Sequence, residues 1–336
     1  MLRNSKLLAS RALFALVVAA AWGLVSSARP AADPELNWYK GNLHTHTINS
    51  DGDSAPDAVA RWYKEQRYHF LALTDHNYFT DPQGLQSFFG ADERFLLITG
   101  EEVTSGYEES PVHVNAFGLS SVIEPSVGGS VVDTVQQNVD AIRAASALPS
   151  LNHPNFHWAV SPAELSQVRN LKLFEVFNGH PTTNDAGAGN GPSLDAMWDT
   201  VLSAGSRMFG IAVDDAHSFK EFSPTLSNPG RGWVQVRARK LSQQAVLSAL
   251  ENGDFYATNG VELSDVVRLE DGLRIDVKPS GDAKYSIRFL GVDGKLLKES
   301  AESPAEYHLG AGEPYVRAKV LDSNGHSAWV QPVFAR

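Results

Sequence analysis

The sequence predicts an α/β barrel followed by a small all-β domain, and two patterns predict it. From Trp38 to about Ala257, short apolar runs alternate with stretches of helical period, as in a sheet built from strand–helix units. After Gly260 the helical period disappears, and short alternating segments separated by turn dipeptides take over. The composition suits both: 336 residues, 43% hydrophobic and 20% charged, with 27 Gly and 17 Pro, which excludes collagen-like, coiled-coil and disordered chains.

Residues 1–28 read as a secretory signal peptide. Arg3, Lys6 and Arg11 precede the apolar run 12–25, and Ser26-Ser27-Ala28 offers small residues for cleavage. That run of about 14 residues falls short of the roughly 20 a spanning helix needs. The mature protein is therefore expected to be periplasmic or secreted, with no stable membrane span. The barrel is expected over 33–260, with strands at 43–47, 70–74, 95–98, 113–117, 149–153, 171–177 and 208–213, and a possible eighth at 232–236. The alternation implies a parallel sheet. Ser54 before Pro56 marks a helix over 57–66. Val132, Val135, Val139 and Ile142 trace a second helix; Leu194, Met197, Trp198, Val201 and Leu202 trace a third, which Gly205 closes. Over 261–336 the turns Asp271-Gly272, Asp293-Gly294 and Asn324-Gly325 separate alternating stretches, which suggests a small sandwich.

Charge and residue type narrow the chemistry. Asp plus Glu number 39 against 28 Lys plus Arg, a net charge of −11 without a basic patch, so no grip on nucleic-acid phosphates is expected. The chain has no cysteine, so thiolate catalysis and thiolate metal ligation are excluded and any metal must rest on His, Asp and Glu. Nine of the eleven histidines fall between His44 and His217, most at the ends of expected strands, which in a barrel form the active face. His44 and His46, two apart on an extended segment, point the same way. Asp51 sits in the turn Ser50-Asp51-Gly52, followed by Asp75-His76, Glu101-Glu102, His113, His153 and Asp215-Ala216-His217. Crowding so many ionisable groups together would cost several kcal/mol each unless a cation compensates them.

The stretches Asn42-Leu43-His44-Thr45-His46-Thr47, Ser50-Asp51-Gly52 and Phe70-Leu71-Ala72-Leu73-Thr74-Asp75-His76-Asn77 resemble the PHP (polymerase and histidinol phosphatase) superfamily, in its CehA/McbA-type metallohydrolase branch. The resemblance continues through Gly100-Glu101-Glu102, His113, Asn152-His153-Pro154, Phe174-Glu175-Val176-Phe177-Asn178-Gly179 and Asp215-Ala216-His217. In the tail it extends to Tyr315-Val316-Arg317 and Ala328-Trp329-Val330-Gln331-Pro332. It implies a distorted (β/α)7 barrel with two or three divalent ions. It assigns His44, His46, Glu102 and Asp215 to the first, Glu102, His113 and His153 to the second, and Asp51, His76 and His217 to the third. Asp51 stands where many relatives carry His. The family's Gly-x-Glu pattern selects Glu102 over Glu101, which strand parity leaves open. An all nitrogen-and-oxygen donor set suits Zn, Mn or Fe.

Four further residues are candidates for catalysis or substrate contact: Asp75, as an acceptor that orients an imidazole; His157 and His180, as pocket groups; and Arg231, as an anion clamp. No Ser, Cys or Lys carries the partners of a covalent nucleophile, so water activated by metal is the expected attacker. The favoured reaction is hydrolysis of a small phosphorylated molecule. Hydrolysis of a carbamate, amide or ester is the alternative, and a non-catalytic metal- or ligand-binding module is an alternative of another class.

Overall fold

The computed structural model describes residues 36–189 and 191–336, so the expected leader lies outside the described residues. The first strands are β1 (Asn37–Asn42), β2 (Phe70–Ala72), β3 (Leu96–Ile98), β4 (Gly100–Tyr107), β5 (Ser110–Phe117), β6 (Leu148–Leu151), β7 (Leu173–Asn178), β8 (Phe209–Val213), β9 (Trp233–Ala238) and β10 (Phe255–Thr258). Helices α1 (Pro56–Glu65), α2 (Gln83–Phe89), α3 (Val131–Ala144), α4 (Pro162–Leu165), α5 (Leu194–Ser203) and α6 (Gln243–Asn252) fall among them. Then come β11 (Leu263–Arg268), β12 (Gly272–Val277), β13 (Tyr285–Leu290), β14 (Leu296–Ser300), β15 (Ala305–His308), β16 (Tyr315–Asp322) and β17 (Ser327–Phe334).

Local chemistry sets the helix ends. Pro56 opens α1 with its fixed φ, while the Ser54 hydroxyl donates to Asp53 at 2.7 Å instead of capping. Ser130, Ser193 and Ser242 cap α3, α5 and α6 by accepting the N–H of the residue three positions on. Gly253 ends α6 at φ 73, a conformation that side chains resist. Val131, Val135, Val139 and Ile142 of α3 are buried, as are Leu194, Met197, Trp198, Val201 and Leu202 of α5. Each such burial is worth about 1.5–3 kcal/mol for the larger side chains.

The strands form a nine-stranded sheet (β14-β13-β16-β17-β10-β9-β1-β2-β3), a five-stranded sheet (β4-β5-β6-β7-β8) and a small sheet (β11-β12-β15). The fold is thus mixed α/β with large sheets. The expected parallel arrangement is corrected: β1–β2–β3 and β6–β7–β8 pair in parallel, but β4–β5–β6 and β1–β9–β10 are antiparallel. Isolated bridges, Thr45 with Ala216 and His76 with Glu102, link the two large sheets where their strands end. The sequence reading missed β4, because Glu101, Glu102, Thr104 and Ser105 break any apolar alternation. Its two-residue hairpin turns at Glu108 (φ 52) without the Gly or Asn that usually announces such a turn. The first strand also ends earlier than expected, so His44 and His46 lie just beyond β1.

The long sheet crosses residue 260. Strand β10 pairs with β9 on one edge and with β17 on the other, Tyr256 facing Val330, and residues 35–336 form one compact unit. Buried polar groups bind the late strands to the early ones. Gln331 exchanges two hydrogen bonds with the backbone of Gly210 (3.0 and 2.8 Å), and Arg317 grips Asp199 of α5 at 2.5 and 2.7 Å.

Candidate metal centre

The chain past β1 is held extended from both sides. Asn42 Oδ1 accepts the His44 N–H at 2.9 Å, and the His46 N–H donates to the Ala216 carbonyl at 2.9 Å. Thr45 turns outward to Tyr63 and Thr74, which sends His44 and His46 together to the inner side. Both imidazoles are fully buried. His44 Nε2 lies 3.2 Å from Glu102 Oε2 and 3.3 Å from Asp215 Oδ1; His46 Nε2 lies 3.3 and 3.2 Å from the same two oxygens. The other Glu102 oxygen meets His113 Nδ1 at 3.0 Å and His153 Nε2 at 3.3 Å. Towards the surface, Asp51 meets His46 Nδ1, His76 Nε2 and His217 Nε2 at 3.4, 3.5 and 3.3 Å. All nine side chains that the sequence singles out as ligands therefore face one place, with Glu102 between the inner groups and His46 spanning from Asp215 to Asp51.

This donor set fits a divalent cation. Tetrahedral ligands about 2.0–2.1 Å from an ion stand about 3.3–3.4 Å from one another, close to the nitrogen–oxygen separations around His44 and His46. Among the described residues, one quartet (His46, Asp51, His76, His217) and three trios of His, Asp and Glu ligand atoms lie mutually within 4.8 Å. Electrostatics agree. Burial opposes ionisation of Glu102 and Asp215, yet the imidazoles around them (His44, His76 and His113; His44, His46 and His217) hold both carboxylates well below their usual range. Burial and the charge of His217 push His46 down to about 4; Asp51 and Asp215 outweigh burial to raise His217 to about 9. The backbone is strained at the same place: His153 has φ 22, Asn77 φ 47 and Asp215 φ 50, each costing about 1–3 kcal/mol outside a functional context.

Around the ligand candidates, neighbours fix the rings. Glu175 is buried in the otherwise apolar start of β7; it accepts hydrogen bonds from His44 Nδ1–H at 2.6 Å and from the His153 backbone N–H at 2.8 Å, so His44 Nε2 is left for an ion. Asn152 donates to Glu102 at 2.9 Å. The sequence reading gave neither residue a role; a lone carboxylate within Phe174–Phe177 was the signal. A cavity of about 150 Å3 opens over the cluster, walled by Phe156, His180 and Thr183.

Several expectations are corrected. Asp75 touches no imidazole directly: it accepts from Thr47, Ser50 and Thr80, bracing the loop that carries Asp51, and reaches His46 only through the Ser50 hydroxyl, 3.4 Å from Nδ1. His157, at φ 53 in a short 3-10 turn, faces solvent, and it is Phe156 that lines the cavity. Arg231 does not line this cavity; its guanidinium donates to Gly179 O, Ser223 O and Asn228 Oδ1. Glu101 turns away from the cluster and accepts the Ile123 N–H at 2.8 Å; burial pushes it up to about 7. His180 does line the cavity. Its Nδ1 accepts the Thr182 N–H at 3.3 Å, which leaves the proton of the neutral ring on Nε2.

No protein-family model and no curated protein matches the chain. Among solved structures, it is similar to a two-domain protein from Bacteroides vulgatus ATCC 8482 described as containing a predicted PHP-like metal-dependent phosphoesterase. That likeness has a TM-score of 0.51 and 18% identity over 85% of this chain and 90% of that one, and it shows a shared fold. Looser likenesses are an amidohydrolase from Chromobacterium violaceum (TM-score 0.38, 14% identity, 56% of this chain and 93% of that one) and the lesion-specific endonuclease PfuEndoQ from Pyrococcus furiosus (0.40, 12%, 64% and 56%).

Proposed function

We propose that the chain is a metal-dependent hydrolase that cleaves a phosphoester of a small molecule. The carrying observation is that Glu102 and Asp215 each present one oxygen to both His44 and His46 at 3.2–3.3 Å, with further imidazoles on the second Glu102 oxygen. His44, His46, Glu102 and Asp215 would hold one cation, His113 and His153 with Glu102 a second, and Asp51, His76 and His217 a third, with Zn, Mn or Fe suited to these donors. Such ions supply Lewis acidity at the phosphoryl oxygens and lower the pKa of water. The chain's own groups do the rest. Glu175 and Asn152 fix the orientation of His44 and Glu102. Phe156 and Thr183 line the cavity above the cluster. Hydrolysis adds water across the P–O bond: phosphate keeps the water oxygen and the leaving oxygen takes a proton of that water, while the neutral His180, with Nε2–H in the cavity wall, is placed to hydrogen-bond a substrate oxygen.

The two bridged sheets support reading the early strands as a distorted (β/α)7 barrel. The apolar cluster of Ile275, Ile287, Phe289, Val316 and Val330 supports reading residues 261–336 as a sandwich-like companion. The basic and then apolar start supports export. Among the described residues no helix is long and apolar enough to cross a membrane. A second reading, hydrolysis of a carbamate, amide or ester within the CehA/McbA branch, is favoured by one observation: no Lys or Arg lines the cavity to meet a dianionic phosphate.

Protein loaded in turn with Zn, Mn and Fe should be assayed on p-nitrophenyl phosphate, bis-p-nitrophenyl phosphate and an aryl carbamate. Turnover of a phosphoester is the expected result. Turnover of the carbamate alone selects the second reading, and a metal-binding protein inert on all three is a binding module.

A further inference from the structure

Beside the metal cavity lies a second, open groove of about 600 Å3, lined by Phe222, Ser223, Pro224, Asn228, Pro229 and Arg231. The two share a wall. Arg231 crosses to the carbonyl of Gly179 at 2.9 Å, and the next residue, His180, lines the cavity over the cluster. That crossing needs a glycine, since a Cβ at 179 would stand 2.9 Å from both the Arg231 Cβ and the Asp214 carbonyl. On the same side, the Ser227 carbonyl takes the N–H groups of His217 and Ser218 at 3.0 and 2.9 Å, which ties the groove's loop to a ligand candidate.

Two features of the groove point to a ligand. Phe222 is 57% exposed, although its ring is stacked on Trp62 (centroids 6.4 Å apart, planes 26° apart), and Trp62 is wedged in turn against Phe219 and Tyr63. The result is a pre-set aromatic platform with a free surface. Arg231 gives its guanidinium hydrogen bonds only to uncharged acceptors; the buried Asp214 carboxylate nearby takes its backbone N–H at 2.6 Å, not the guanidinium, which keeps donor capacity facing the groove. The loop is braced, not loose: Asn228 bonds the Ser218 and Glu221 carbonyls and the Ser223 N–H.

We propose that this groove holds the leaving group of the substrate, and that the group it fits is a flat aromatic ring bearing a negative charge, with the ring on Phe222 and the charge beside Arg231. The inference rests on the hydrolase reading for the word substrate, but the groove can be tested without turnover. The metal-free full-length chain, kept in chelator, is titrated with 2-naphthoate and with cyclohexanecarboxylate by calorimetry. The naphthoate should bind more tightly, and Phe222→Ser should weaken it about tenfold, in the range that base–aromatic stacking spans. Equal affinity for the two carboxylates, or naphthoate binding that Phe222→Ser leaves unchanged, overturns the proposal. In the metal-loaded enzyme, phenyl and ethyl phosphate isolate the ring, and 4-carboxyphenyl phosphate the charge. Phe222→Ser should lower the phenyl-over-ethyl ratio of kcat/KM about tenfold, through KM, and Ser223→Glu should lower the carboxyphenyl-over-phenyl ratio. Ratios unmoved by either variant also overturn it. Failure to hydrolyse any phosphoester counts against the function proposed above and leaves the decision on the groove to the titration.

Discussion

Arg317 and Glu102 are both fully buried charges, and their surroundings differ in kind. Around Arg317, Asp199 supplies two oxygens at 2.5 and 2.7 Å and Asp195 Oδ1 a third at 3.3 Å, while Lys319 and the Trp329 indole both meet the other Asp195 oxygen. Cation and anions there match within the chain, and none of the elements that carry them, α5, β16 and β17, has a residue at positive φ. Around Glu102 and Asp215 there are carboxylates and imidazoles but, in the cavity lining, no Lys or Arg, and the backbone is strained at His153 and Asp215. Self-sufficient charge is what a fold uses to fasten two parts. Charge left for an outside cation, on strained backbone, is what a fold maintains for chemistry.

The largest contrast should come from removing one carboxylate of the second kind. Asp215→Asn is expected to lower hydrolytic activity by more than about a hundredfold, beyond the usual effect of losing a supporting residue, while urea denaturation in chelator shifts by less than about 1 kcal/mol. A variant that unfolds, or one that stays active, would break the comparison. The reverse is expected of Arg317→Met. It strands Asp199 without its partner and should cost about 3–5 kcal/mol of stability, yet leave the metal affinity of the folded protein near its original value. Glu175→Gln sharpens the picture at intermediate size: with His44 and His153 less firmly held, metal affinity should fall about 10–100-fold, read by competition with a chromophoric chelator. The smallest effect is acid sensitivity. Burial raises the Asp195 carboxyl, but Arg317 and Lys319 outweigh it and hold the group below its ordinary value. Its stabilisation is therefore present above about 3.9, the unfolded value, and is lost as pH falls through the folded one. Stability measured from pH 6 to pH 3 should decline less steeply in Asp195→Asn.

The chemistry of the site was more legible in the sequence than its geometry. His44, His46, His76, His113, His153 and His217 carry their meaning in residue type and order, so the side chains that meet could be named without knowing how the strands pair. What they touch depends on direction, which adjacency does not give. Asp75 neighbours His76 in the chain and braces a different loop, while Glu175, far away in sequence, holds His44. Arg231 reads as an anion clamp of the metal pocket, but it lines the neighbouring groove instead, with part of its guanidinium held by the Gly179 and Ser223 carbonyls. The fold shows the same division. The apolar stripes of α3 and α5 predicted those helices, because one buried face is a local pattern. The antiparallel course of β4, and the way β10 joins β17 to β9, depend on partners that no local pattern names.

That shared strand has a consequence for how the molecule comes apart. With β10 hydrogen-bonded on both edges, ending the chain after residue 260 would bare a row of unpaired amides on a buried, apolar strand and abandon Gly210 without Gln331. The terminal residues are thus no detachable cassette: the truncated form should aggregate, and heating the intact protein should give one cooperative transition in which both halves melt together.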